Sequence, residues 1–556
     1  GTDIMFSRYN EYNTFHGSGN FSFNGRYTNY DEADYLLGLM SAFDQSNGEI
    51  EARRYHYQGF YFNDAMRISR RVTLNYGLRW EPYTPMTDLK DREVQFRIDD
   101  YRNGLKSQRY VNAPRGLFYP GDTVSGYTIP KSGVAASKKQ FAPRAGIAWD
   151  VNGDGRTSLR AGYGIFYDVP MMYALNNMNL QTPFSFTVAF QEGLFDDPYR
   201  GRQNLNLFPF AGDFDPNTPF QLPTSAVVYQ PTLKLPYTQN WNVTLEKGIA
   251  DWTFQLSYVG SKASQLTSDI QLNPPTYNYN LDPNPTKNLA LNRANVNGRR
   301  PFPEFSSVSC IFNGLNSFYN GLQTSAKKRF SHDFSVQVSY TFSKALDYRS
   351  TNNEASTGSV WNPYNWRMQH GPSDYDRRHL FVSSFVWNLP RLGKALSSPY
   401  LGIITDDWQF SGIVSGTTGG PLSFTSTNDA MAGAGTPLAV ISGNLYLPND
   451  RPRGQRIAQY FNTAAVQQAQ PGTWGSAGRG ILRGPGGSGT DVSMSKSFPM
   501  KFIRESMTTR FRAEFFSLFN HPQLGSPEVR LGRATFGQIA NVGGTRVLQF
   551  SLKIAF

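Results

Sequence analysis

At 556 residues, with 39% hydrophobic content and a mean hydropathy of −0.47, the chain has no apolar run near the roughly 18–20 residues of a membrane helix, which excludes helical spans. Its net charge of +12 is scattered, the largest basic groups being short ones such as Lys327-Lys328-Arg329, so a nucleic-acid partner is not expected. The charge reads instead as solvated lumen and rim, with some attraction for anionic lipopolysaccharide or an anionic ligand. Cys310 is the one cysteine, which excludes an intrachain disulfide.

The predicted elements are strands. Residues 1–30 are β-like, with alternation clearest from Gly19 to Tyr27, and a connection carrying Asp34 to Gly38 reaches about Ala52. A hairpin follows at 54–66 and 71–81. In its second strand Val72, Leu74, Tyr76, Leu78 and Trp80 share one face, and Thr73, Asn75, Gly77, Arg79 and Glu81 the other, which is the period of 2 of a strand. Further hairpins are expected at 141–151 with 157–168, 237–247 with 252–262, 317–330 with 334–346, and 376–390 with 406–418. The last three strands fall at 489–499, 506–519 and 545–556, where Leu548, Phe550, Leu552, Ile554 and Phe556 oppose Val547, Gln549, Ser551, Lys553 and Ala555.

Strands of about ten residues, apolar on one face and polar on the other, are what a closed barrel in lipid requires, since only closure satisfies every backbone group there. The expected fold is all-β: a transmembrane antiparallel up-and-down β-barrel with about fourteen strands, residues 1–556 forming a single barrel domain. Connections near 67–70, 152–156, 248–251, 331–333, 391–405 and 500–505 are short or fairly short. Those near 82–140, 169–236, 263–316, 347–375, 419–488 and 520–544 are long, and the two kinds alternate. Outer-membrane barrels have short periplasmic turns and long extracellular loops, so this parity predicts the outer membrane of a Gram-negative cell with the C-terminus in the periplasm. Trp149, Trp252, Trp387 and Trp408 fall near short-turn ends and Trp80 and Trp241 near long-loop ends, as two interfacial girdles would place them.

Several stretches also resemble, in order and spacing, the C-terminal barrel of TonB-dependent outer-membrane receptors, in particular the Oar-like group common in Acidobacteria. They are ADYLLG (33–38), LNYGLRWE (74–81), FAPRAGIAW (141–149), LRAGYGIFYD (159–168), QNWNVTLE (239–246), NGLQTSAKKR (320–329), SYTFSKAL (339–346), DRRHLF (376–381), FFSLFNHP (515–522) and the terminal RVLQFSLKIAF (546–556). The resemblance implies a 22-stranded barrel, an N-terminal plug, a TonB box and energised import of a scarce ligand through the TonB–ExbB–ExbD complex. It also implies that Phe556 helps the barrel-assembly machinery recognise the chain. The 556 residues contain no stretch read as a plug, TonB box or signal peptide, so the expectation is the C-terminal portion of a longer receptor.

No pattern makes a case for catalysis, a cofactor or a metal. Asp150-Val-Asn-Gly-Asp-Gly155 opens like a calcium loop, but its twelfth position is Ala161 where a bidentate Glu is needed, and a tight turn explains it. Gly484–Gly489 lacks the Gly-Lys-Ser/Thr ending of a phosphate loop. The six histidines form no H-x-x-x-H pair, and His379, which could face the lumen, reads as structural. The functional candidates are polar residues of the inner face, Arg79, Glu81, Arg144, Arg160, Asp168, Glu246, Arg510, Arg512 and Glu514, which could pair, line a path or hold a plug. In the loops, Tyr119, Arg299, Arg300, Trp361, Tyr364 and Trp366 could grip an unknown extracellular ligand by stacking and charge. Two other readings stand beside import: a passive porin or structural barrel, and a secreted soluble glycan-binding β-protein.

Overall fold

The computed structural model describes all residues except 14–15, 29, 170–177, 179–180, 191, 203–214, 221, 351–359, 501–505 and 556. Fourteen long strands dominate it: β1 (Thr2–Asn13), β2 (Glu49–Arg67), β3 (Val72–Trp80), β4 (Phe141–Asp150), β5 (Thr157–Tyr167), β6 (Tyr237–Ile249) and β7 (Trp252–Gln271). They continue as β8 (Phe305–Ser331), β9 (Phe334–Asp347), β10 (His379–Asn388), β11 (Trp408–Thr417), β12 (Gly487–Pro499), β13 (Thr508–Phe516) and β14 (Val547–Ala555). Each pairs antiparallel with the next in sequence, giving an up-and-down meander from β1 to β14.

The register keeps the two faces in phase from strand to strand. Leu74, Ile147, Ala161, Val243, Tyr258, Leu322 and Phe342 form one row across β3 to β9. One residue along, Thr73, Ala148, Arg160, Thr244, Ser257, Gln323 and Thr341 form the neighbouring row on the opposite face. A slip by a single residue would turn an apolar row onto the polar side, so the alternation itself fixes the pairing. The same parity runs to β14, where Leu548, Phe550 and Leu552 stay exposed on the apolar face. Trp80, Trp149, Trp241, Trp252, Trp387 and Trp408 all fall on that outward face by register. At the long-loop end Trp80 stacks between Phe60 and Phe141, with centroids 5.5 and 6.3 Å away.

Three expectations change. The alternating stretch 19–27 is not a barrel strand; the first one is β1. Only Asn20–Ser22 is extended, joined to Ala42–Ser46 and Thr187–Phe190 in a small loop sheet where Phe21, Phe43, Phe190 and Tyr199 pack together. A period of 2 reports a half-buried strand but not what buries it. Second, β7 and β8 run 20 and 27 residues, well past the predicted ends toward the loops. The added segment of β8 is buried on both faces, at Phe305, Val308, Cys310 and Ile311, and so carries no alternation. Third, Asp376-Arg377-Arg378 precedes β10 rather than joining it, and the Asp376 carboxylate is buried, paired with Arg483 and accepting from Ala345 N at 2.6 Å. The predicted 500–505 turn lies mostly outside the described residues.

The buried hydrophobic side chains belong largely to the long connections. One cluster gathers Val94, Phe96, Tyr101, Tyr110, Tyr119, Phe184, Phe302 and Phe305, and another Phe424, Leu438, Phe461, Leu482 and Leu531. The long loops therefore form a folded layer with cores of their own at one end of the strands.

Candidate functional site

The polar face of the sheet is the first part of the site. Register places all nine predicted inner-face residues on this one side, either within strands or, for Glu81 and Asp168, at their ends. Arg79 is held by three partners: Glu81 Oε1 at 2.5 Å, Asp3 Oδ2 at 2.8 Å and the Tyr57 hydroxyl oxygen at 2.5 Å. Gly59 makes room for this cluster, since a Cβ there would lie 2.5 Å from Arg79 Nη2. Arg144 lays its guanidinium over Phe166, 4.6 Å from the ring centroid. Arg512 pairs with Glu514 at 2.8 Å and donates to Ser493 Oγ at 2.9 Å, while Arg510 donates to Ser497 Oγ at 3.3 Å. Asp168 borders a cavity of ≈ 570 Å³ with Tyr319, Asp347 and Arg349. Arg160 and Glu246 make no ion pair among the described residues.

The loop layer is the second part, and it separates the six loop candidates. Tyr119 is fully buried against Tyr110 and Phe184, so its ring supports the layer from inside. Arg299 clamps three carbonyls, those of Asn292 (3.0 Å), Ala432 (2.8 Å) and Thr276, tying the 272–304 and 418–486 connections together. Arg300 donates to Asn273 O at 2.6 Å. Burial pushes both guanidinium values down, and the neighbouring Arg299 charge lowers that of Arg300 further. Trp361 packs on the second loop core and receives its backbone anchor from Gln369 Oε1 at 2.7 Å. Tyr364 is exposed, with its hydroxyl 3.3 Å from Pro274 O.

Trp366 lines a cavity of ≈ 660 Å³, together with Phe96, Ile270, Leu272 and Phe312. Its indole is braced by Tyr348 and Phe312, with centroids 5.1 and 5.9 Å away. Asp99 and Asp100 bring carboxylates to the same cavity. Burial raises Asp100, but the Ser125 hydroxyl at 2.5 Å and the Arg97 guanidinium outweigh it and hold the carboxyl below its ordinary range. A cavity of this size, with an aromatic and aliphatic side and a polar side that includes Arg97, Asn103, Ser125 and Gln230, suits a small ligand.

Sequence reasoning missed the buried ion pairs that fasten the layer to the strands. Arg479 reaches Asp347, Asp374 (3.3 Å) and Ser350 Oγ (2.7 Å); Arg483 meets Asp376; Arg349 meets Asp269 at 2.7 Å. A deeper group joins Arg53 to Glu93 and Glu51, beside Arg92 and Asp88 at 2.8 Å. His379 lies in the outward row beside Phe342, with its Nδ1 2.7 Å from the Tyr340 hydroxyl, and does not face the lumen. In the Asp150–Gly155 turn the Asp150 carboxylate accepts from Gly153 N (2.9 Å) and Gly155 N (3.0 Å). Phe556 lies outside the described residues.

The family model of the outer membrane beta barrel domain matches residues 1–549. The chain belongs to that family. The barrel therefore sits in an outer membrane, and its apolar face is the lipid face. Among solved structures it is similar to the outer membrane transporter YddB from Escherichia coli, at 10% identity and a TM-score of 0.44, covering 93% of this chain and 50% of that one. It is similar also to the ferripyoverdine receptor of Pseudomonas aeruginosa, at 10% identity and a TM-score of 0.40, covering 91% and 39%. For the FrpB iron transporter from Neisseria meningitidis the values are 11%, 0.39, 94% and 46%. The chain thus spans about half the length of these proteins or less. No curated protein matches it in sequence.

Proposed function

We propose that this barrel is the ligand-gathering wall of a TonB-dependent receptor, which captures a small ligand in its loop layer and imports it with energy from TonB–ExbB–ExbD. The observation that carries this reading is the Trp366 cavity, held open by a loop layer with its own cores above a charged inner wall. The loops are clamped by Arg299, Arg479 and Arg483, so the layer that forms the cavity is preformed. The stretches resembling the Oar-like receptors point the same way. The loops face outward, the β14 end faces the periplasm, and Phe556 serves assembly.

Accumulation by expressing cells of three probe classes, a ferric siderophore, an oligosaccharide and a peptide, tests it. At least one probe is expected to accumulate, to stop with a protonophore, and to need roughly tenfold more probe after Trp366→Ala, the loss of one aromatic anchor. Steady KCl conductance in planar bilayers, with uptake indifferent to the protonophore, would establish the passive pore instead.

A further inference from the structure

The connection between β10 and β11, on the short-turn side, is an elaborate one. It folds into two helical pieces, Leu392–Ala395 and Pro399–Thr405, closed against each other. The Asp406 carboxylate accepts from Gly393 N (2.8 Å) and Lys394 N (3.1 Å), and the Ser398 side chain caps the second helix. Gly393 and Gly402 cross so closely that a Cβ on Gly393 would lie 2.2 Å from the Gly402 backbone. The hairpin is thus a preformed unit.

Its two edges differ. Arg391, Lys394 and Asp407 border a polar cavity with Ser497 and Arg510 of the inner face, so this edge lies at the lumen mouth. The other edge is apolar: Leu396, Tyr400, Ile403 and Ile404 are between 63% and 84% exposed. Two contacts fix where this edge sits. Trp408, on the lipid face, donates from its indole Nε1 to Ile404 O at 2.7 Å. Lys496, on the same face, is buried beneath the junction, donating to Asp406 O at 2.7 Å with its ammonium 5.6 Å from the Trp408 centroid. The Trp408–Ile404 contact therefore joins the hairpin's apolar edge to the lipid-facing belt at Trp408. So large an apolar patch would be a liability in water.

We propose that this hairpin is an in-plane membrane anchor, whose Leu396, Tyr400, Ile403 and Ile404 enter the phospholipid leaflet at the short-turn end while its polar edge stays at the lumen mouth. Insertion rests on the outer-membrane location and not on the import reading. That the leaflet is periplasmic rests on the proposed orientation, which impermeant labelling decides separately.

An environment-sensitive NBD fluorophore placed by Ile403→Cys or, separately, Tyr400→Cys in a Cys310→Ser background tests it, in the full natural chain reconstituted in phosphatidylethanolamine–phosphatidylglycerol vesicles. Gel mobility with and without heating confirms that each barrel is folded, and Tyr400 stands in should the Ile403 variant fail. Doxyl-labelled phospholipid is expected to quench both sites, with iodide quenching about fivefold weaker than at an exposed loop control, Tyr446→Cys. Iodide quenching equal to the control would overturn the proposal, and so would protection from both quenchers, as a covering protein would give.

Discussion

Arg479 shows how much of this molecule's order depends on single buried charges. Its guanidinium is almost wholly enclosed, and it joins the 418–486 connection to Asp347 at the end of β9 and to Asp374. Arg479→Ala leaves Asp347 a buried carboxylate without its main cation, which typically costs about 3–5 kcal/mol. The expected result is protease cleavage within the 347–375 and 418–486 connections while the strands stay protected; unchanged resistance would contradict it. Glu93 gives a second residue-scale test. Burial, only partly offset by Arg53, pushes its carboxyl from 4.5 up to about 7, with Asp88 and Glu51 adding like charge. The folded state then holds a proton that the unfolded state has released, so stability falls as pH rises from about 4.5 to about 7. Amide exchange over residues 82–140, corrected for intrinsic rates, should be slower at pH 5 than at pH 8, and Glu93→Gln should flatten the difference. Equal protection in the wild type at both values would refute it. Neither group was legible beforehand: the Arg479–Asp347 pair joins residues 132 apart, and no local periodicity marks such partners.

At the scale of elements, alternation carried most of the information. Where a strand has lipid on one side and a polar lumen on the other, as in β3 to β6, its ends were readable to within about two residues. Where the environment became loop core on both sides, as at the 305–316 end of β8, the pattern vanished with its cause. The hairpin at 392–405 read as a plain connection because pieces of four and seven residues are too short to show a 3.6-residue period. The two faces of a strand differ in a measurable way. Val243 points to lipid in the middle of β6, and Thr244 to the lumen. Val243→Arg should destabilise the folded barrel by about 2–4 kcal/mol in urea titrations in lipid, and Thr244→Arg by much less. Equal costs would contradict this assignment, and a larger cost at Thr244 would mean that the two faces have been exchanged.

For the whole molecule, the division of labour follows from the two solvents it meets. The strands expose their apolar face because lipid receives it, and the buried cores gather in the long loops, where water would not. The alternation of short and long connections was legible before any coordinates, as were the six tryptophans of the outward face. The Trp366 cavity was not, because it is assembled from residues between 96 and 366 that only the folded loops bring together. Orientation is the point on which ligand capture depends. Within the 556 residues the one thiol, Cys310, is buried, and labelling of the unsubstituted protein sets the background against which introduced cysteines report. The deciding measurement is labelling of intact cells with a membrane-impermeant maleimide at Tyr446→Cys in a long loop and Asp154→Cys in the short turn between β4 and β5. Labelling at 446 in intact cells, and at 154 only after the outer membrane is permeabilised, is the predicted result; labelling at 154 with protection at 446 would contradict it.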